Sequence, residues 1–314
     1  MNMKTRLRIK RGLSICAIAF TFAFAAMAQA GSGLRDEITE SFAVKPGGTL
    51  NFDSDLADVE ITTSETDTLR AEFRREFKVS TVREADALRQ KLDVQMSKTD
   101  NDVKVTVRWT GDRHDRDRQK VRLNFRIAMP RKFNLDLRTV GSARVDDLDG
   151  TVKAVMLGGS LQLKNVSGPV TAKTEGGSLT AGNVGGDLDA KSYGGSVAAG
   201  RVNGRVKAVA EGGSIAITEA SDSIEARAEG GSVAAYISKQ PRGDSKLIAE
   251  AGNVELRLPE SIAVNIDASC SAGRLSSDFS LYGHQDENRL KGAINGGGPL
   301  VMLRASAGNI YLRK

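Results

Sequence analysis

The chain has 314 residues with a formal charge of +6; aromatic residues make up 5% and there are 33 glycines. A hydrophobic content of 40% excludes a disordered chain, and so few large side chains with so much glycine argue against a thick globular core and for a thin, repetitive all-β structure. The positive charge suggests nucleic acid only until its location is read.

Residues 4–11 carry Lys4, Arg6, Arg8, Lys10 and Arg11 with no acid. An apolar run from Leu13 to Met27 follows, and then Ala28-Gln29-Ala30, a small-x-small cleavage pattern. Charged, apolar and small in that order predicts a cleaved secretory signal over 1–30. The apolar run falls short of the roughly 20 residues that a spanning helix needs, so no transmembrane segment is expected in the mature chain. Cys16 follows Ile15 rather than a small residue, which argues against a lipoprotein signal. Without residues 1–30 the chain holds 40 basic and 39 acidic residues, and the case for nucleic acid disappears. Cys270 is then the one cysteine left, so no internal disulfide is expected.

Residues 31–132 read as an N-terminal strand region with one short helix. Strands with charged turns are expected over 42–80. Thr81-Val82-Arg83-Glu84 fits a capping box, and Ala85, Leu88 and Leu92 follow at helical spacing, predicting a helix over 82–92. Alternating segments come next, Val103 to Trp109 and Val121 to Met129, around the mixed-charge loop 111–118. Residues 70–132 hold 18 basic and 10 acidic residues; the zone is either a solvated face of self-compensating Arg–Asp pairs or a contact to anionic lipid headgroups or acidic polysaccharide, with Arg113, Arg116 and Arg118 as candidate contacts.

Residues 133–314 are a repeat region. Gly158-Gly159-Ser160 recurs at Gly176, Gly194, Gly212 and Gly230 with a strict 18-residue period, and Val140-Gly141-Ser142 is a sixth copy in the same register. Gly252, Gly273 and Gly308 extend the series at looser spacing, with loops inserted between them. Leu161, Leu179, Val197, Ile215 and Val233 share one column; Val152, Val170, Leu188, Val206 and Ile224 share another; Ala154, Ala172, Ala190, Ala208 and Ala226 share a third. The period-2 alternation inside each half-repeat means strand. A βαβ unit needs about 30 residues, so the shorter period found here suits one coil of a β-solenoid. The expected fold is all-β: a single-chain parallel β-solenoid (β-helix) with ~18-residue coils, plus a small mixed α/β N-terminal capping region. The turn glycines are expected to need positive φ.

Several segments resemble the bacterial candidate-adhesin family known as the DUF4097 domain. They are Val44-Lys45-Pro46-Gly47-Gly48-Thr49-Leu50-Asn51-Phe52 with Asp58-Val59-Glu60-Ile61, then Ala128-Met129-Pro130, then Gly292 to Leu300 followed by Leu303 to Ile310. The resemblance implies a β-solenoid exported to the envelope or beyond, and it brings no catalytic residues.

Catalytic chemistry finds little footing. The two histidines, His114 and His284, fall in loop-like segments, and no His/Cys/Asp cluster has metal-ligand spacing. Calcium rolls need Gly-Gly-x-Gly-x-Asp, whereas Ala181 stands where the ligand should be. A left-handed hexapeptide helix needs an aliphatic residue every six, which the columns do not supply. Glu175, Glu211 and Glu229 share a column, interrupted by Tyr193, and are the one foothold for a polysaccharide-cleaving enzyme. Arg242-Gly243-Asp244 is a further candidate surface contact. The expected function is therefore a non-catalytic binding, adhesin-like or scaffolding protein of the periplasm or cell surface. It would carry no cofactor or metal, and its partner would be an envelope protein or polysaccharide. Self-association through the solenoid ends is a third expectation.

Overall fold

The computed structural model describes residues 34–112 and 115–314. The predicted signal over 1–30, together with Arg113 and His114, lies outside them. The chain divides into two compact units, one ending at Arg144 and one starting at Val145.

The first unit contains β1 (Arg35–Ala43), β2 (Thr49–Ser54), β3 (Ala57–Ser64), β4 (Thr68–Phe77), α1 (Val82–Gln90), β5 (Leu92–Thr99), β6 (Asp102–Trp109), a short 3-10 helix (Arg116–Lys120), β7 (Val121–Pro130) and β8 (Asn134–Thr139). One sheet runs β1-β4-β7-β3 and the other β5-β6-β2-β8. The pairs β3–β7, β2–β6 and β2–β8 are parallel, while β1–β4, β4–β7 and β5–β6 are antiparallel. The first coil, β2 and β3, thus has β6 and β7 on one side, and β8 continues from β2 on the other. Phe125 fills the space between the sheets, edge-on to Phe52 at 5.1 Å and stacked on Phe73 at 5.3 Å.

α1 starts as its sequence predicts. Thr81 Oγ1 accepts from the Glu84 N–H, and the Glu84 carboxylate accepts from the Thr81 N–H. It stops two residues early, because Leu92 begins β5, where it pairs with Trp109. Arg89 fastens the helix, donating to Asp36 of β1 at 2.9 Å and lying over the Phe77 ring at 4.7 Å.

The second unit is the stack. β9 (Ala143–Val145) stands at the boundary. Then come β10 (Val152–Met156), β11 (Leu161–Leu163), β12 (Val170–Thr174), β13 (Leu179–Ala181), β14 (Leu188–Ser192), β15 (Val197–Val202), β16 (Val206–Ala210), β17 (Ile215–Ala220), β18 (Ile224–Ala228) and β19 (Val233–Ile237). Every coil gives one strand to each of two parallel sheets, and partners follow the 18-residue period: Val152 faces Val170, and Leu161 faces Leu179. A third side is a row of single bridges, Leu148–Val166–Val184–Val202. The alanine column is buried throughout, from Ala154 to Ala226. A methyl group fills the space between the sheets there, where a ring would force them apart.

The turn glycines serve a different purpose from the one expected. Among the described residues, positive-φ glycines are Gly47, Gly296 and Gly297, and none is in the repeat. The repeat glycines are required by close stacking. A Cβ on Gly195 would lie 2.5 Å from Ser178 Oγ and 2.8 Å from the carbonyl carbon of Gly177 in the coil before. The next column seals that contact: Ser178 Oγ accepts from the Ser196 N–H at 3.2 Å, Ser196 Oγ from Ser214 and Ser214 Oγ from Ser232. The serine ladder takes up amide groups that the turn would leave unpaired.

Beyond β19 follow β20 (Ser245–Ala249), β21 (Val254–Arg257), β22 (Val264–Cys270), β23 (Leu275–Ser277), β24 (Tyr282–Gln285), β25 (Arg289–Ile294), β26 (Leu300–Ala305) and β27 (Ile310–Arg313). Here spatial order departs from chain order. β26 lies between β20 and β22, and β27 lies between β21 and β23. The coil of 300–313 is thus intercalated before the coil of 264–277, and the antiparallel strands β25 and β24 close the outer edge of β22.

Candidate functional site

The outward residues of the 18-residue coils form ladders, because parallel in-register strands set equivalent side chains about 4.8 Å apart. On the sheet holding β10 to β18, one ladder reads Lys153, Thr171, Asp189, Lys207, Glu225, Lys246, with charges alternating in its later part. Beside it lies the glutamate column. Glu175 is 3.4 Å from Lys173, Glu211 is 3.3 Å from Lys191 and Glu229 is 3.4 Å from Arg227. Tyr193 lies under Lys173 and Lys191, at 5.0 and 4.1 Å. Glycoside cleavage needs one carboxyl kept protonated in an enclosed, apolar place. Glu211 and Glu229 are instead open to solvent and paired with cations.

The basic zone is compensated in space by acids from earlier in the chain. Asp36 accepts from Arg75 at 2.6 Å and from Arg89, Glu37 accepts from Arg74 at 3.0 Å, and Asp53 pairs with Arg108. Over residues 34–144 the sequence holds 22 basic and 20 acidic residues. Counting only 70–132 leaves out these partners. Arg116 is exposed in the 3-10 helix, whereas Arg118 donates to the Asp55 carbonyl. Nearby, Lys120 and Lys91 hold the Asp117 carboxyl down to about 2.

Arg242-Gly243-Asp244 is woven into the first enlarged coil. Arg242 donates to Asp222 from its backbone at 2.9 Å and its side chain at 2.8 Å. Burial opposes the charge on Asp222, but the N–H groups of Arg242 and Ser223 and the Arg242 guanidinium together hold its carboxyl below the ordinary value. Asp244 accepts from the Leu300 N–H at 2.8 Å, and Gly243 passes beside Ser223. Cys270 is buried on β22, and burial pushes its thiol up. His284 is exposed, 3.3 Å from Asp286. Among the described residues no three His, Cys, Asp or Glu side chains are placed to hold a metal ion, and no helix is long and apolar enough to cross a membrane.

The opposite sheet carries a concavity that sequence reading missed. Its outward ladder is Gln162, Thr180, Ala198, Ala216, Ala234, Glu255. Where three alanines follow one another the surface drops, and an open groove of about 550 Å3 forms over Ala216 and Ala234. Thr218 and Tyr236 flank it, and Glu255, Arg257 and Lys314 stand at one end. Arg257 donates to Glu255 at 3.0 Å, and Lys314 is 3.2 Å from Glu260. The signal was present in the column after Val197, Ile215 and Val233. It becomes a groove only through the taller residues that the fold sets next to it.

Solved structures similar to this chain include a candidate adhesin from Parabacteroides merdae, 12% identical, with 88% of this chain and 96% of that chain covered and a TM-score of 0.44. A candidate adhesin from Bacteroides fragilis is 15% identical, covering 88% and 97%, with a TM-score of 0.36. A candidate lipid-binding protein from Parabacteroides distasonis is 10% identical, covering 88% and 97%, with a TM-score of 0.34. No curated protein matches. The family model described as Toastrack DUF4097 matches residues 48–313, and the chain belongs to that family.

Proposed function

We propose that this is an exported, non-catalytic binding protein of the cell envelope, adhesin-like in action, and that the groove over Ala216 and Ala234 takes a segment of polysaccharide. The observation that carries this reading is the composition of the groove. Methyl groups make a flat floor, Tyr236 offers a ring at its side, and Glu255, Arg257 and Lys314 supply an acceptor and donors at one end. A sugar ring needs that mixture: an apolar face for its C–H surface and charged groups for its hydroxyls. An open groove binds each unit weakly, and a polymer held by many copies on a surface gains strength by avidity. The charged, apolar and small-x-small order of residues 4–30 supports export.

The test is binding of the purified mature chain to envelope polysaccharides, beside the variants Ala216→Arg and Tyr236→Ala. Both positions face outward, so the stack is expected to stay intact by circular dichroism. Loss of binding in both variants is the expected result. Full binding in Ala216→Arg, whose side chain would fill the groove, refutes the assignment. Protease shaving of intact cells, with fractionation against a periplasmic marker, decides between the outer surface and the periplasm. Unchanged glycan turnover in a Glu211→Gln, Glu229→Gln double variant is expected of a protein that does not cleave its ligand.

A further inference from the structure

The coil of 300–313 occupies a slot between two coils that come before it in the chain. Gly231 to Gly252 is a 21-residue step, and Gly252 to Gly273 repeats it. Val233 pairs with Val254 at the same spacing. By that spacing the 264–277 coil is the direct successor of the 245–257 coil: Leu247 would meet Ala268, Ala249 would meet Cys270 and Val254 would meet Leu275. Instead Leu303 stands between Leu247 and Ala268, and Ile310 stands between Val254 and Leu275. Both faces of the slot pair in register with the coil that separates them.

The turn into the slot is the hinge that any exchange must open, and Asn295 ties it to the Glu260 and Ile262 carbonyls. Asn295, Gly296 and Gly297 have φ of 49°, 88° and 83°, three left-handed residues in a row, followed by Gly298 and Pro299. They carry the chain from β25, on one side of β22, to β26 on the other. No disulfide fastens the coil: Cys270 is free and residues 300–313 contain no cysteine. Its contacts are specific. Leu300 donates to Asp244, Asn309 to Asn253 and Ser306 to Glu250, while Arg304 pairs with Asp267 and Arg313 with Asp278. Val301, Leu303, Ile310 and Leu312 are fully buried.

We propose that this slot is a strand-acceptor site, and that copies of the protein associate by exchanging the 300–313 coil. The occupant is a second copy because the polar contacts above match this segment and are the same in either arrangement. Exchange then costs the opening of this turn and the loss of its bonds to Glu260 and Ile262. The outer edges of the stack offer a poorer route. β23 has three residues, and β24 has four, all exposed. Short, polar edges are a common defence against edge-to-edge pairing.

The test uses the full mature chain with Cys270→Ala. Ser276 and Tyr311 are partners across the slot. One copy carries Ser276→Cys and the other Tyr311→Cys, and the two are refolded together and treated with a short thiol crosslinker. A crosslinked heterodimer whose yield rises with protein concentration is the expected result. It should be absent when the same copies are folded separately and then mixed briefly. A chain with both cysteines serves as control for folding and reach. If that chain crosslinks within itself at every concentration while the mixed copies never crosslink, the slot takes only its own coil and the proposal is overturned. Gly296→Pro with Gly297→Pro removes positive φ at the hinge and should raise the dimer fraction by sedimentation; an unchanged fraction also overturns it.

Discussion

The two units solve one packing problem in opposite ways. In the first, the space between sheets is filled by rings: Phe52, Phe73, Phe125 and Phe133 are each at most 1% exposed. In the repeat coils the same space is filled mainly by alanine, valine, leucine and isoleucine, with Met156, Thr174 and Ser192 in one column. Rings make a core of few large, unequal parts, with each contact specific to its residues. Methyl columns make a core of many small, equal parts that any number of coils can share. The second kind can be extended by repetition, whereas the first anchors the helix α1.

The largest effect expected from this contrast is at Phe125. Removing that ring leaves a cavity against two others, so Phe125→Ala should destabilise the first unit by about 3–5 kcal/mol. Hydrogen exchange resolved along the chain should show faster exchange up to Arg144 and little change in the repeats. Equal loss in both units would mean they unfold as one cooperative body. In the stack the opposite manipulation should hurt. Ala190→Leu adds bulk to a buried column that holds only methyl groups and should cost about 1–3 kcal/mol in denaturant unfolding.

Two glycines, one in each unit, test stacking against backbone strain. Gly195→Ala should cost about 1–3 kcal/mol through overpacking against Ser178 and Gly177, although its φ is ordinary. Gly47→Ala should cost about 1–2 kcal/mol through its φ of +90°, although its Cβ would meet nothing within 4 Å. If enlarging Gly195 is harmless, the coils are not as tightly stacked as their serine ladder requires. Ser196→Ala breaks one rung of that ladder and should cost about 0.5–1.5 kcal/mol by the same unfolding measurement.

The smallest effect concerns acid. Asp117 is held at about 2 by Lys120 and Lys91, against an ordinary value of 3.8. The unfolded chain takes up this proton first, so the contribution is complete above pH 4 and fades as pH falls toward 2. Asp117→Asn should flatten the acid limb of the first unit's stability profile slightly; an unaltered profile would show that the exposed cluster adds nothing.

Legibility in the sequence followed regularity. The 18-residue register, the buried columns and the strand period were all readable, because one coil's environment is repeated by the next. The helix start was readable because Thr81 and Glu84 act locally. Its end was not, because Leu92 is recruited into β5 by Trp109, a partner distant in sequence. The partners of the basic zone are hidden for a related reason. Asp36, Glu37 and Asp53 lie far along the chain from the arginines they neutralise, so a window count could not include them. The groove over Ala216 and Ala234 was invisible because a depression is a property of neighbours: Ala216 is low only beside Tyr236 and Arg257.

The repeating element is legible in the amino acids alone: in-register pairing at the 18-residue period, methyl columns inside and glycine at each turn. These follow from local alternation and from identical neighbours, which need no knowledge of the rest of the chain. The order of the coils at the C-terminal end and the reason for the glycines emerge only in the folded chain. Residues 300–313 and 264–277 carry compatible columns, so period alone cannot say which lies against Leu247. The choice rests on contacts such as Asp244 to Leu300 and Asn253 to Asn309, made between segments 56 residues apart. The glycines, likewise, are small because another coil's backbone arrives within van der Waals reach, and that approach exists only once the stack has formed.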